Sequence, residues 1–368
     1  MTKKELNLAT FRRENSKVLW QPRLEEWYFK NKQNGTLPEK YRDTEHLELY
    51  DLLDCSVRYA ASAGVIFYHA PDAGIRGSEE IRGNRLYAAV ETPAGSLTTV
   101  YHLVFDPEGK VINQRIESFP VKTPEELRVA AYITENTLVK ADPELFGRHA
   151  ALMGDRGEPA IILGSAGYTE LIKNWAGLIN ATYLTCDCPD EVEAFLEACD
   201  RRDDRMLDAA LQLDCKVFNL GDHATDEFTP PPILKKYMLP RWQRLSEHFH
   251  RAGRFVHSHW DGNSHTMLPY LKESGLDSVE ALTFAPMGNI TPEEVKQAVG
   301  DEIVCLDLLP AIYFLKDYPA EELLEFTRKV IDMFAPRLIL GVSDEISSVG
   351  EIEKIEAVSR LVRELNGE

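Results

Sequence analysis

The sequence predicts an α/β fold of the TIM type, a (β/α)8 barrel carrying an antiparallel β insertion near its N-terminal third. Three observations predict it. Short apolar, β-branched runs recur along the chain, each followed by a helix-like stretch, which is the pattern of parallel strands covered by helices. The 368 residues, 44% of them hydrophobic, can fill a sizeable core, and that length allows one large barrel or two ordinary domains. Nothing repeats at a solenoid period and no Gly-, Ser- or Pro-rich linker divides the chain, so residues 1–368 are expected as a single barrel domain.

In chain order, the expected barrel strands are Val18-Leu19-Trp20, Val65-Ile66-Phe67, Ala160-Ile161-Ile162-Leu163 and Lys216-Val217-Phe218-Asn219-Leu220. Arg254-Phe255-Val256-His257, Ser278-Val279-Glu280-Ala281-Leu282, Ile303-Val304-Cys305-Leu306 and Leu338-Ile339-Leu340 complete the set. Thr291-Pro292-Glu293-Glu294 reads as a helix start, with a capping threonine, proline in the first turn and acids at the positive end of the dipole. Pro189-Asp190-Glu191-Val192 reads as another. From Leu86 to Phe119 the chain instead alternates like a solvent-facing hairpin, with turns at Pro93-Ala94-Gly95 and Asp106-Pro107-Glu108-Gly109. Residues 84–122 are therefore expected as a β-hairpin insertion in the barrel.

The net charge of −19, from 60 acidic and 41 basic side chains, argues against nucleic acid or an anionic membrane as partner and for a small molecule or a protein. No apolar run follows Met1-Thr2-Lys3-Lys4-Glu5, so no signal peptide is expected. The longest apolar stretch, Ile303 to Leu315, is broken by Asp307 and Pro310 and is too short to span a bilayer. Six irregularly spaced cysteines read as reduced thiols, and the expected location is cytoplasmic. Cys186-Asp187-Cys188 could bind a soft metal, but no second pair lies near to complete the roughly four ligands a structural thiolate site needs. A homodimer is an admissible assembly.

Barrel enzymes gather their functional residues at the C-terminal ends of the strands, where the loops form the mouth. There the sequence offers Gly221, Asp222 and His223; His257, His259 and Asp261; Glu280; and Ser343, Asp344 and Glu345. A strand-end acid or histidine often only caps a loop, but several converging on one mouth can hold a divalent cation, and a catalytic zinc needs about three protein ligands and an open position. His259 and Asp261, two residues apart in an extended segment, point the same way and can share one ion. Glu280 and Asp344 complete the expected metal set, with Asp222 and His257 as catalytic candidates and Asn219 and His223 as substrate-positioning ones. Trp260, Tyr68, Phe284, Met287 and Tyr313 could line an aromatic pocket, against their commoner role as core. Gly164-Ser165-Ala166-Gly167 lacks the lysine and spacing of a P-loop and reads as a wall of the active cavity.

The segment His259-Trp260-Asp261-Gly262-Asn263, with Leu268-Pro269-Tyr270-Leu271 and Glu273-Ser274-Gly275-Leu276-Asp277, resembles the H-x-C-G-N region of the uroporphyrinogen decarboxylase superfamily. It is most similar to the corrinoid-dependent methyltransferase branch, and the resemblance runs through Val299-Gly300-Asp301 to Leu338-Ile339-Leu340-Gly341, over roughly residues 155 to 365. In that branch a histidine, two cysteines and a glutamate hold zinc. By position His259 matches the histidine, Glu280 the glutamate, and Asp261 and Asp344 stand where the thiolates would be. Harder oxygen ligands leave a more electrophilic ion, better suited to polarising a substrate oxygen than to binding a thiolate. Asp261-Gly262, Glu280-Ala281-Leu282-Thr283 with Pro286, and Gly341-Val342-Ser343-Asp344 also resemble the methyltransferase components of O-demethylase systems, as do Pro22-Arg23-Leu24-Glu25-Glu26-Trp27-Tyr28 and Val90-Glu91-Thr92-Pro93-Ala94-Gly95.

The resemblance implies transfer of a methyl group from a methoxylated aromatic, or a related methyl donor, to the cobalt(I) of a separate corrinoid protein. Three readings compete. Uroporphyrinogen decarboxylase itself is metal-free and carries an arginine-rich N-terminal signature, only faintly echoed here by Trp20-Gln21-Pro22-Arg23 and Leu37-Pro38-Glu39-Lys40-Tyr41. A methylcobamide-to-thiol methyltransferase is disfavoured by the missing cysteines. A non-catalytic module that binds a corrinoid protein would not need four candidate ligands.

Overall fold

A computed structural model describes every residue except Ser16, Ala60, Ala61, Ser165 and Ala166. The chain forms two compact units: a parallel-sheet unit of Met1–Gly64, Pro143–Gly164 and Leu213–Glu368, and an antiparallel unit of Val65–Asp142 and Ser165–Gln212. The chain begins in the first with strand β1 (Leu19–Trp20). It then enters the second, which supplies β2 (Val65–His69), β3 (Arg76–Arg82), β4 (Arg85–Thr92), β5 (Gly95–Phe105), β6 (Val111–Ser118) and β7 (Thr137–Ala141). The remaining strands, β8 (Ala160–Ile162), β9 (Val217–His223), β10 (Phe255–His259), β11 (Ser278–Glu280), β12 (Val304–Pro310) and β13 (Leu338–Ser343), belong to the parallel-sheet unit.

Seven strands form one curled parallel sheet in the order β1-β13-β12-β11-β10-β9-β8. Their side chains are buried on both faces along β10 to β13 with few exceptions, as parallel strands covered by helices must be. The N-terminal helix Lys3–Arg12 lays Leu6 and Phe11 against the strand starts, where Leu19, Ala160, Val217, Val304 and Ile339 converge, and Phe11 stacks on Phe255 with centroids 5.2 Å apart. This plug leaves the opposite, C-terminal ends of the strands for polar side chains. The helix Pro292–Val299 starts as expected, with Thr291 Oγ1 accepting from the Glu294 amide and the Glu294 carboxylate reaching back.

Seven of the eight expected barrel strands lie in this sheet. Val65-Ile66-Phe67 does not: β2 pairs antiparallel with β7, from Val65 opposite Ala141 to His69 opposite Thr137, in a two-stranded ladder of the other unit. A β-branched run reads alike in either setting; here it is half-buried or exposed. The gap between β1 and β8 is bridged instead by Ser56, whose amide donates to Trp20 O (2.8 Å), and Val57, whose amide donates to Arg156 O (3.0 Å). Gln21 Nε2 also donates to Val57 O, at 3.1 Å.

In the antiparallel unit, β3 to β6 form a four-stranded meander; the hairpin insertion expected at 84–122 covers β4 to β6, and β3 precedes it. Both expected turns fall between its strands. At the first, Gly95 sits at φ +136° with the position of a Cβ only 2.9 Å from Val129 Cγ2, so the turn packs on the helix Pro124–Glu135 at a distance only glycine allows. No helix among the described residues is long and apolar enough to cross a membrane.

Candidate metal centre

The ends of four strands of the parallel-sheet unit, three of them adjacent and the fourth one strand further on, bring polar side chains together. β9 ends at His223, β10 at His259 with Asp261 just beyond, β11 at Glu280, and Asp344 follows β13. His223 Nε2 stands 3.0 Å from Asp261 Oδ1, and His259 Nε2 is 3.8 Å from the same oxygen and 3.9 Å from Asp344 Oδ2. The two imidazoles stack at 5.5 Å between centroids, with Phe228 against the outer face of His223 at 5.7 Å. Among the described residues, His223, His259 and Asp261 are the group whose ligating atoms all lie within 4.8 Å of one another.

Asp261 Oδ1 is buried yet has no hydrogen-bond partner among the described residues. His223 meets it at 3.0 Å as an ion-pair contact. Buried acceptors are almost always satisfied; an orphaned carboxylate oxygen facing two imidazole nitrogens fits a cation held among them. Three such ligands, with Asp344 nearby, match the N/O donor set of a zinc site with an open position. Sequence reasoning placed His223 with the substrate; the structure puts it with the ligating group.

Glu280 stands behind His259 instead of facing the cluster, a correction to its expected role as ligand. Its Oε1 accepts from His259 Nδ1 and Asn219 Nδ2, both at 2.8 Å. Its Oε2 accepts from Arg58 (2.8 Å) and the Tyr59 hydroxyl (2.6 Å), with His257 Nε2 at 3.4 Å. Every lone-pair direction of this fully buried carboxylate is used. Burial works against its charge, but the hydrogen bonds from His257 and His259 and the Arg58 guanidinium hold it well below the usual carboxylate range. For His259, burial opposes protonation, but the hydrogen bond and charge of Glu280, with Asp344 and Asp261, push it up to about 9. Burial likewise raises Asp261, and His223 with His259 outweighs it and brings the group down. This is the carboxylate–histidine arrangement that fixes which imidazole nitrogen faces a metal.

A second tier locks the first. Arg58 forks onto Asp307 (2.7 Å and 3.1 Å) and donates to Gln21 Oε1 (2.8 Å). Asp307 and Leu308 both adopt left-handed backbone, φ +78° and +75°, and Ala281 after Glu280 does too, at +65°; such strain gathers where a site dictates the backbone. Gly341 leaves room for this tier, since a Cβ there would stand 2.4 Å from Asp307 Oδ1. Arg23 pairs with Asp344 and, at 3.1 Å, with Glu345, and its guanidinium lies 5.5 Å from the centre of the Tyr59 ring.

The other expected site residues fall in different places. Asp222 is buried, one oxygen accepting from the Trp242 indole and the other from Ser258 Oγ at 2.7 Å; it anchors the core and does not face the mouth. Trp260 points the same way, its ring tilted against Trp242 at 5.4 Å with its indole N–H on Ser258 Oγ. His257 is fully buried, Nε2 3.1 Å from the Tyr59 hydroxyl and Nδ1 unpartnered. Asn219 belongs to the Glu280 network, donating also to Tyr59 (2.8 Å) and accepting from the Gly221 amide. Tyr313 is half-buried in an aromatic group with Tyr318 and Phe326, and Phe284 packs on Phe326; Met287 is exposed. Tyr68 lies on β2, in the antiparallel unit. Of Gly164-Ser165-Ala166-Gly167, the central pair lies outside the described residues. Sequence reasoning gave no site role to Arg23, Arg58, Tyr59 or Asp307. Gln21 and Arg23 directly follow the predicted strand ending at Trp20, so the strand-end rule that found the histidines, applied to β1, points to them.

No family model and no curated protein matches the chain. Solved structures do. The chain shares its fold with the methyltransferase from Methanosarcina mazei, with a TM-score of 0.58 and 13% identity over 100% of this chain and 99% of that one. A B12-independent methionine synthase from a Shewanella species aligns with a TM-score of 0.38 and 11% identity over 90% and 92% of the two chains. A sugar phosphate isomerase/epimerase from Parabacteroides distasonis gives 0.38 and 10% over 96% and 97%.

Proposed function

We propose that this chain is a zinc-dependent (β/α)8-barrel methyltransferase of the uroporphyrinogen decarboxylase superfamily. In this reading it moves a methyl group from a methoxylated aromatic, or a related methyl donor, to the cobalt(I) of a corrinoid protein. The observation that carries the reading is the orphaned Asp261 Oδ1 set between His223 Nε2 and His259 Nε2. The motif resemblance and the full-length likeness in fold to a methyltransferase support methyl transfer as the chemistry.

His223, His259 and Asp261 would hold the ion, with Asp344 as the nearest further donor. Bound there, zinc supplies Lewis acidity toward the ether oxygen that carries the methyl group. The chain's own residues do the rest. Glu280 holds the Nδ1–H of His259 and so presents Nε2 to the cluster. Arg58, Tyr59 and Asn219 keep Glu280 ionised and immobile, and Arg23 orients Asp344. In the transfer, the methyl–oxygen bond would break with its electron pair left on oxygen and the methyl group would pass to the partner's cobalt(I), so that no residue of this chain need take it up covalently.

Metal analysis of the purified protein is the first test: about one zinc per chain in the wild type and none in His259→Ala. A wild-type chain without zinc after mild purification overturns the reading. The second supplies a cobalt(I) corrinoid protein and a panel of methoxylated phenols, betaines and methyl thioethers, following the absorbance change to methylcobalt. Methoxylated phenols should give it; failure with every donor rejects methyl transfer.

A further inference from the structure

The antiparallel unit contains a cavity of about 330 Å³ that lies wholly within it and that the metal-centre chemistry does not use. One wall is the face of the β4–β5 ladder carrying Ala88 opposite Thr99 and Val90 opposite Leu97. Phe67, from β2, and Ile133, from the helix Pro124–Glu135, make the facing sides. Phe67 is 41% exposed, so an aromatic ring at the rim stays uncovered. Protein interiors hold few voids larger than a water molecule, and pockets of about 300 to 1,000 Å³ with apolar walls and a few polar groups are the usual form of small-molecule sites.

The inner end of the cavity is polar and rigid. Arg202 grips Glu170 through two hydrogen bonds, at 2.7 and 2.6 Å, and also donates to Asp203 at 3.1 Å. The Trp175 indole donates to Glu170 Oε1 at 3.2 Å, and Trp175 and Phe195 meet edge to face at 6.2 Å. A buried ion pair is weak evidence of stabilisation, so its position at the end of a cavity points to recognition. Arg202 is held there by Glu170, so that end offers an anion no uncommitted cation. Thr99 lines the cavity with its hydroxyl unpaired among the described residues, and His69 presents its imidazole at the rim with a long 3.5 Å contact to Thr137.

We infer that the antiparallel unit is a small-molecule binding module in its own right, taking a neutral molecule of about one substituted aromatic ring with a single hydrogen-bonding oxygen. The apolar walls accept the ring. The Thr99 hydroxyl meets the oxygen, and the ion pair closes the end without inviting charge. A cavity near 150 Å³ suffices for benzene, so the volume here leaves space for substituents but not for a second separate ring system.

Calorimetric titration of the full chain with acetophenone tests this, with sodium benzoate as the charged counterpart. Acetophenone should bind saturably, one per chain, and benzoate at least about tenfold more weakly, because Arg202 is already committed to Glu170 and a carboxylate taken from water without a partner is costly. Ala88→Phe fills the cavity and should abolish binding, whereas Ala89→Phe, on the opposite face of the same strand, should leave it unchanged. Thr99→Val keeps the shape and removes the hydroxyl; it should cost about fivefold in affinity and keeps the test decisive if Ala88→Phe fails to fold. Absence of saturable binding, equal binding of benzoate, or full binding in folded Ala88→Phe or in Thr99→Val overturns the inference. His259→Ala should bind acetophenone as the wild type does, and loss of binding there would assign the molecule to the metal centre instead.

Discussion

Replacing Glu280 by glutamine tests the organisation of the metal centre most sharply, because the change keeps shape and removes one charge. Each oxygen of Glu280 accepts from two donors, Oε1 from His259 and Asn219 and Oε2 from Arg58 and Tyr59. A glutamine must turn its NH2 toward one pair. It cannot face Arg58, whose guanidinium only donates, so it faces Asn219 and His259. Asn219 cannot flip, since its Oδ1 accepts from the Gly221 amide. His259 can adapt by giving up the proton on Nδ1 and carrying it on Nε2, which is the nitrogen needed for the metal. Loss of an orienting partner of this kind costs about 10- to 100-fold in metal affinity. Breaking a buried ion pair costs about 3–5 kcal/mol, and the lower figure applies because Arg58 keeps Asp307. Chelator competition should therefore give one zinc per chain with weakened affinity, and urea unfolding a loss of about 3 kcal/mol. Zinc affinity within twofold of wild type refutes the orienting role. Complete loss of zinc, as in His259→Ala, refutes it in the other direction by making Glu280 a direct ligand.

Three further outcomes follow from the same geometry. His223→Ala should lower zinc content as severely as His259→Ala, measured by metal analysis, since both imidazoles face Asp261 Oδ1. Asp222→Asn should leave zinc stoichiometry intact and lower unfolding stability by about 1–3 kcal/mol, because its oxygens serve the Trp242 indole and Ser258. His250 is raised above its ordinary value by its hydrogen bond to Asp277, against the pull of burial. The pair's stabilisation is thus complete below about pH 6.5 and fades as pH rises through the folded-state value; an NMR titration should find His250 above 6.5 and Asp277→Asn should bring it back.

The seven parallel strands were legible because buried strands leave apolar runs, and the ends of β9, β10, β11 and β13 were legible because His, Asp or Glu stands at or just after them. The segment that bridges β1 and β8 was not. Cys55-Ser56-Val57-Arg58 has no apolar run, and it is held by Ser56 and Val57 amides and by Gln21, contacts that no local pattern announces. For the same reason Arg58 and Tyr59 escaped notice. Side-chain alternation placed His259 and Asp261 together but said nothing of depth. Glu280 and Asp222 also end strands, yet one sits behind a histidine and the other beneath a tryptophan. Whether a strand-end acid faces the mouth depends on which donors the neighbouring strands aim at it, and that is a property of register.

On the proposed reading, the charge around the cluster would suit a dication better than a proton. Asp261, Asp344, Glu345, Glu280 and Asp307 are five carboxylates, met by two guanidiniums, Arg23 and Arg58. Both guanidiniums are already committed, Arg58 to Glu280 and Asp307 and Arg23 to Asp344 and Glu345. Asp261 is the one left with no guanidinium, and its orphaned Oδ1 is where the field is least compensated. A proton on His259 offsets one unit of the three-charge excess; exchanging it for a divalent ion offsets two and frees Nε2 as a ligand. The exchange gains most in a buried, low-dielectric setting, which is where Glu280 and its partners have fixed the imidazole in advance.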